Sequence, residues 1–342
     1  MRAVRIHAQG GPEMLQVDEM PEPEPGPNDL LVRLRATSVN HRDIWMRRGH
    51  PHPAYHVDLP AILGIDVCGE VVAAGSEVDG FAAGDRVTAN PYMHCGRCQE
   101  CVRGRFQYCP RFSVYNGTYA ELFLVPAAFA VHVDADVPDE HVAAFPNTYI
   151  TAWQMLVGKA QVSAADTVFV WAGTSGLGNA GIEIAHLSGA LVIASAGSEE
   201  KRDRLLDLPV DAILDHHSPD LVERVLELTD GQGASIVFEH IGQATWERSL
   251  ELCAHGGTIV SAGATSGDDA RMNITYMFAK QVRILGSRLG TMRDTFEAVR
   301  HLSAGRFSPL IGAVVPLENV DDAHALMDRG RVIGKVIVKP VV

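Results

Sequence analysis

No apolar run in the 342-residue sequence approaches the ~18–20 residues of a membrane-spanning helix. Basic residues are outnumbered, with 29 Lys and Arg against 42 Asp and Glu, a net charge of −13. That denies the chain the electrostatic footprint of a general nucleic-acid binder. It also has no basic amphipathic segment suited to anionic membranes. The opening residues, Met1-Arg2-Ala3-Val4-Arg5-Ile6-His7, alternate polar and apolar and hold no signal-peptide core. They read as a first β-strand, and a soluble, cytoplasmic protein is expected. With 46% hydrophobic and 21% charged residues, a wholly disordered chain is excluded. The length suggests two domains, and 32 glycines with 18 prolines point to many turns and short strands.

Cysteine is sparse and uneven. Of six, Cys95, Cys98, Cys101 and Cys109 lie close together, while Cys68 and Cys253 stand alone. Scattered cysteines would suggest disulfides; a tight cluster suggests metal. Four thiolates close a tetrahedron around Zn²⁺ at ~2.3 Å and leave no position for substrate, so such a site is structural. Gly96, Gly104 and Pro110 permit the turns it needs. Four free thiols and an iron–sulfur cluster are the alternatives, and His94 reads as a bystander.

The rhythm of the chain changes once. Up to about residue 145 it shows short alternating runs, Leu30–Ala36, Gly69–Ala74, Arg86–Ala89 and Glu121–Val125, separated by Gly and Pro, and reads as all-β. The segment Pro21–Pro27 reads as a stiff surface loop. From about residue 165, near-continuous apolar runs alternate with helix-like stretches: Thr167–Trp171, Leu191–Ser195, Ala212–Leu214, Ser235–Phe238, Thr258–Ser261 and Ile284–Leu285. This is the pattern of a parallel sheet buried on both faces. A helix near 293–304 and a last strand at Val332–Val338 follow.

The first of these runs enters Ala172-Gly173-Thr174-Ser175-Gly176-Leu177-Gly178, followed by a helix pattern with Ala180, Ile184 and Leu187. Strand, glycine turn and helix form the context of a dinucleotide fingerprint, although the strict G-x-G-x-x-G is not met. The alternative is a turn that merely packs helix on sheet. The second run ends Ser195-Ala196-Gly197-Ser198-Glu199-Glu200-Lys201, with no acid at its tip to bind a ribose 2′-OH. Ser198 and Lys201, helped by Arg202, could hold a 2′-phosphate. NADPH is therefore favoured over NADH, with Glu199 and Glu200 arguing weakly against it.

Together these features resemble the medium-chain dehydrogenase/reductase superfamily, in its zinc-type alcohol dehydrogenase and quinone oxidoreductase branch. The resemblance covers essentially the whole chain. It rests on Gly64-x-Asp66-x-x-Gly69-x-Val71, Gly84-Asp85-Arg86-Val87, the four cysteines, Thr151-Ala152-Trp153, the glycine turn, and Gly257 before a strand. It implies an α/β protein in which a Rossmann doubly wound parallel sheet is inserted into a GroES-like β-barrel catalytic domain. The expected boundaries are 1–149 and 289–342 for the catalytic domain, with a zinc lobe at 94–110, and 150–288 for the cofactor domain. The expected cofactor set is Gly173, Thr174, Ser175, Gly176, Leu177, Gly178, Ser198, Lys201, Gly263 and Leu289. A homodimer or homotetramer acting on a small molecule is also implied.

The departures from that family are informative. In its zinc alcohol dehydrogenases a catalytic zinc is held by a Cys, a His and a further Cys or acid; the matching positions here are Asn40, Ile65 and Asn147, the pattern of the quinone oxidoreductase-like members that lack it. Ile cannot bind metal and amides are poor Zn²⁺ ligands. One structural Zn²⁺ and a metal-free active site are therefore expected. Without a Lewis acid a simple alcohol is hard to oxidise, so hydride delivery to a quinone or an activated alkene or carbonyl fits better. Asn40 is the candidate for binding ribose or a substrate carbonyl, or it caps a turn. Asp43 orients the loop. Thr151 contacts the nicotinamide, or it is a helix cap. In His50-Pro51-His52-Pro53-Ala54-Tyr55-His56, which resemblance places at the substrate entrance, Tyr55, His52 or His41 could donate a proton; a solvated loop is the alternative. A metal site made by His41, Asp66 and one of these imidazoles is a further alternative, and the pair His216-His217 reads as surface. Competing expectations are a zinc-dependent alcohol dehydrogenase with unusual ligands and a non-catalytic NADPH-binding protein.

Overall fold

The structure, a computed structural model, describes residues 1–340. The chain divides into two compact units: Met1–Asn147 with the segment from Thr291 onward, and Thr148–Gly290.

The first unit is mostly antiparallel. Its larger sheet runs Ala130–His132, Arg86–Ala89, Cys68–Ala74, Asp29–Ser38, Lys335–Lys339 and Ile311–Pro316, with Leu122–Pro126 also paired to Asp29–Ser38. Only the last pair in that order is parallel. The ten-residue strand Asp29–Ser38 organises this sheet: Leu30, Val32 and Leu34 turn inward while Arg33 and Arg35 face water, the period of two that a half-buried strand requires. Its neighbour Lys335–Lys339 sets Ile337 opposite Ser38 and Val338 opposite Thr37. A smaller sheet joins Leu15–Glu19, Arg2–Ile6 and Ala61–Ile62.

The all-β reading of this region needs correction. Helices form at His41–Arg48 and Asp139–Ala144, with a single turn at Gln99–Val102. The first starts with Asp43 Oδ2 accepting from Asn40 N at 2.9 Å and stops at Gly49, whose φ is 76°. It is too short and too polar for apolar periodicity to reveal it.

A chain of buried polar groups links that helix to Val320–Asp328. Arg47 Nε donates to His324 Nδ1 at 3.2 Å, and Arg47 Nη2 pairs with Asp328 at 2.8 Å. The proton of the neutral imidazole then sits on Nε2, 3.1 Å from the Tyr119 oxygen, and the Tyr119 hydroxyl donates to Asp43 Oδ2 at 3.1 Å. Burial, reinforced by Arg47, pushes His324 down to about 3. Burial, opposed by Arg42, pushes Asp43 up to about 6.

The second unit carries a six-stranded parallel sheet in the order Ala212–Asp215, Leu191–Ala196, Thr167–Val170, Ala234–Glu239, Cys253–Ser261, Arg283–Gly286. Numbered along the chain this is 3-2-1-4-5-6, the doubly wound dinucleotide-binding order. Helices Gly176–Leu187, Glu199–Leu205, Leu221–Leu228, Trp246–Leu252 and Ile274–Lys280 lie in the five crossovers. Phe169, Trp171, Ile193, Val237 and Ile259 fill its core.

The two buried groups have opposite pH signatures. The unfolded state protonates His324 near its ordinary value of 6.5, whereas the folded state resists down to about 3, so His324 costs stability progressively as pH falls below 6.5. Asp43, with its folded value raised to about 6, gains stability over part of the same range. Thermal melts of wild type and His324→Gln across this window are expected to converge on acidification. A constant gap between the two curves would refute a buried neutral His324.

Candidate functional site

At the start of the strand Lys335–Lys339 an ammonium is buried, its side chain 7% exposed. Lys335 Nζ donates to Val39 O at 3.0 Å and to Asn40 Oδ1 at 2.6 Å, and lies 3.4 Å from Asp66 Oδ2. Asp66 is fully buried. Its Oδ2 also accepts from Asn40 Nδ2 at 2.8 Å and from the Ser38 hydroxyl, and its Oδ1 accepts from Asn147 N at 2.9 Å. Asn147 Nδ2 donates to Asn40 Oδ1 at 2.9 Å. The Asn40 amide has one possible orientation, because the lysine needs its oxygen and the carboxylate needs its nitrogen.

This cluster brings Asn40 and Asn147 together, with buried Ile65 beside Asp66 in sequence. The donor set does not fit a catalytic zinc: two amides and an alkyl chain stand where thiolate and imidazole are needed. The Lys335 ammonium bonded to Asn40 Oδ1 adds like-charge repulsion. The alternative site through His41 and Asp66 does not form either. Both Asp66 oxygens are engaged, and among the described residues the cysteines are the one grouping able to hold a metal.

Other candidates are placed separately. Asp43 sits in the first turn of His41–Arg48, fully buried. Tyr55 packs on Trp45 and His50, ring centroids 4.8 and 5.0 Å away. In the second unit, Thr151 is buried inside the helix Pro146–Trp153, so it is not a cap. Lys335 itself was missed. Its one sequence signal was a lysine opening the strand Lys335-Val336-Ile337-Val338-Lys339, whose interior is apolar.

The four cysteine sulfurs lie within 4.8 Å of one another. Cys98 and Cys101 are 3.4 Å apart, Cys95 and Cys109 3.6 Å, and Cys95 and Cys101 4.0 Å. These match the ~3.8 Å edges of a tetrahedron with ~2.3 Å Zn–S bonds. The two-residue strands Tyr92–Met93 and Ser113–Val114 pair at the base of the lobe. His94 stacks on Phe106 at 4.1 Å, outside the set of four.

In the second unit Gly173 and Thr174 form the turn after Thr167–Val170. Ser175 caps the helix Gly176–Leu187, its hydroxyl accepting from Gly178 N at 2.9 Å. A Cβ on Gly178 would meet Ala172 O at 2.3 Å, so the glycine lets turn and helix close on each other. Gly176, Leu177 and Gly178 thus present backbone at a helix N-terminus, which suits a pyrophosphate. Ser198 caps Glu199–Leu205 and accepts from Lys201 N at 3.3 Å. A Cβ on Gly263 would meet His240 O at 2.8 Å, and Leu289 is buried with φ 42°. Nearby, buried Glu239 accepts from Ile241 N (2.7 Å), Gly242 N (3.0 Å) and Ser249 Oγ (2.7 Å).

Comparison with known proteins agrees with this geometry. Residues 26–135 match the alcohol dehydrogenase GroES-like domain and residues 176–304 the zinc-binding dehydrogenase domain. A solved structure of an NAD-dependent alcohol dehydrogenase is 41% identical, with TM-score 0.95 and full coverage of both chains. The acryloyl-coenzyme A reductase of Sulfurisphaera tokodaii is 26% identical over 99% of this chain and 100% of its own. The quinone oxidoreductase of Pseudomonas aeruginosa is 28% identical over 96% and 94%. The chain belongs to the medium-chain dehydrogenase/reductase superfamily, with a GroES-like and a Rossmann domain. It is an NAD(P)-dependent oxidoreductase. No helix among the described residues is long and apolar enough to cross a membrane.

Removing the Lys335 ammonium strands a buried carboxylate. Lys335→Met is expected to lower unfolding free energy by about 3–5 kcal/mol in denaturant titrations. A variant as stable as wild type would show that the pair contributes nothing. Cys101→Ser is expected to abolish zinc retention by metal analysis and to lower the melting temperature; full zinc content in the variant would contradict the four-sulfur site.

Proposed function

We propose that the protein is an NADPH-dependent reductase of quinones or of alkenes and carbonyls activated by conjugation, with one structural zinc and no catalytic zinc. The observation that carries this reading is the donor set at Asn40, Ile65 and Asn147, with Lys335 bonded into it. A site of amides and an ammonium cannot generate a metal alkoxide. It can favour negative charge growing on a carbonyl oxygen already conjugated to the electron-poor centre.

NADPH, when bound, supplies the hydride. The chain's own residues then bind and orient. One Nδ2 hydrogen of Asn40 is committed to Asp66, and the second serves as donor to ribose or the substrate carbonyl. The cation on Asn40 Oδ1 polarises that amide and makes it a stronger donor. Asp43 holds the loop before its helix, Tyr55 delivers the proton, and Thr151 meets the nicotinamide. The pyrophosphate lies along Gly173–Gly178, and Gly263 and Leu289 line the rest of the cofactor. The domain boundaries that go with this reading are 1–149 with 289–342, and 150–288. The relatives named as acryloyl-coenzyme A reductase and quinone oxidoreductase support the substrate class.

The same reading includes a homodimer, or a homotetramer built from it, working in the cytoplasm. The strand Arg283–Gly286 ends the parallel sheet. The neighbouring helix Ile274–Lys280 exposes Ile274 and Phe278, each 63% accessible. A second copy would cover both features.

Metal analysis with a substrate screen tests the proposal. The expected result is one zinc per chain, with NADPH oxidation by a quinone, an enone or an enoyl thioester. Two zincs per chain and alcohol-dependent reduction of NAD⁺ would replace it with the alcohol dehydrogenase reading, which the 41% identical structure favours. Asn40→Ala is expected to lower kcat/KM by about 10²-fold.

A further inference from the structure

The second strand of the parallel sheet, Leu191–Ala196, ends at Gly197, and two imidazoles from the end of the adjacent strand Ala212–Asp215 face that glycine. A Cβ on Gly197 would lie 2.4 Å from His216 Nε2 and 2.7 Å from His217 Nε2. The two rings stand edge to face, 4.4 Å between centroids. The backbone holds them there: His216 N donates to Ala196 O at 3.3 Å and His217 N to Asp215 Oδ1 at 2.9 Å. The sequence reading of this pair as plain surface is thus corrected for His216, which is half-buried.

The surroundings are cationic. Arg248 lies over the Trp171 ring at 5.3 Å, and the Trp171 ring is 6.3 Å from His216. Lys201 and Arg248 both act electrostatically on His216. Asp215, the acid that acts on His216, is paired with Arg202 at 2.8 Å, which offsets its charge. Ser198 uses its oxygen to cap a helix. In a doubly wound sheet ligands lie beyond the carboxyl ends of the strands, and the tip of the second strand is where the cofactor's adenosine ribose sits. An acid there selects a free 2′-OH. Here the tip is a bare glycine with two Nε2 atoms aimed at it.

We propose that His216 and His217 are the residues that recognise the cofactor's 2′-phosphate and so set the preference for NADPH, an inference that rests on the NADPH reading above. A phosphate dianion takes hydrogen bonds from both Nε2 atoms. The bare Cα of Gly197 leaves the rings where they stand. Before binding, burial and the neighbouring His217 push His216 down to about 4, with Arg248 and Lys201 adding to the effect and Asp215 opposing it. An arriving dianion reverses that balance, so binding draws a proton onto His216 and the preference for NADPH weakens as pH rises.

The test is titration of the purified protein with NADPH and with NADH, for wild type, H217Q, H216Q/H217Q and G197A. Wild type is expected to bind NADPH more tightly. The double variant is expected to lose about tenfold or more in NADPH affinity while keeping NADH affinity within about twofold, which also shows that it is folded. G197A, whose Cβ must displace both rings, is expected to shift the same way. H217Q changes an exposed side chain and keeps a partial effect measurable if the double variant fails to fold. The wild-type affinity ratio is expected to fall between about pH 6 and about pH 8, and to fall less in the variants. If wild type prefers NADPH and the variants keep that preference, the histidine assignment is overturned while the NADPH reading stands. If wild type prefers NADH, both fail.

Discussion

The buried ammonium of Lys335 is the constraint on which the first unit's polar interior depends. Moving a charge out of water costs several kcal/mol unless it is paired and hydrogen-bonded. Here Val39 O, Asn40 Oδ1 and Asp66 Oδ2 receive it. The requirement runs both ways: Asp66 has no exposure and takes its hydrogen bonds from Ser38, Asn40, Asn147 N and the lysine. Sheet pairing makes this possible. Ile337 opposite Ser38 aligns the last strand with the long strand Asp29–Ser38, and Val39 N bonds back to Val336 O at 3.0 Å. The result is a cluster whose amide orientations and charges are mutually dictated.

The same economy recurs elsewhere. Arg47, His324, Tyr119 and Asp43 form a directed chain of hydrogen bonds, and it ties the helix His41–Arg48 to Val320–Asp328. In the parallel-sheet unit Glu239 collects two backbone amides and two hydroxyls beside the strand that bears it. Trp171 Nε1 joins through Ser249 at 2.8 Å. Hydrogen bonds between buried polar groups fix the side chains that make them, which makes such groups rigid supports for neighbouring loops.

The architecture was largely legible because it rests on periodicity. The six apolar runs after residue 165 became the six parallel strands, with ends displaced by a residue or a few, since β-branched and apolar stretches bounded by Gly and Pro leave little else to form. The cysteine spacing is legible for a similar reason: the lobe is local, and ligands within fifteen positions meet without long-range help. The helix His41–Arg48 was not legible, because one capped turn after another carried too few apolar residues. Lys335 was not legible as a partner of Asp66, because 269 positions separate them and only strand pairing closes that distance.

Resemblance to the family, not spacing, matched Asn40, Ile65 and Asn147 to its zinc-ligand positions; what the sequence by itself determined is the set of local chemistries, four thiols at metal spacing and a glycine turn ahead of a helix. Each follows from residue type and short spacing, which covalent geometry alone preserves. What only the tertiary structure decided is which charges and rings share a site. The Lys335 ammonium in the Asn40–Asp66–Asn147 cluster arises from register between strands far apart in the chain, and the two imidazoles over Gly197 from register between neighbouring parallel strands joined by a crossover. No local pattern encodes that register, because it is the core packing of whole sheets that selects it.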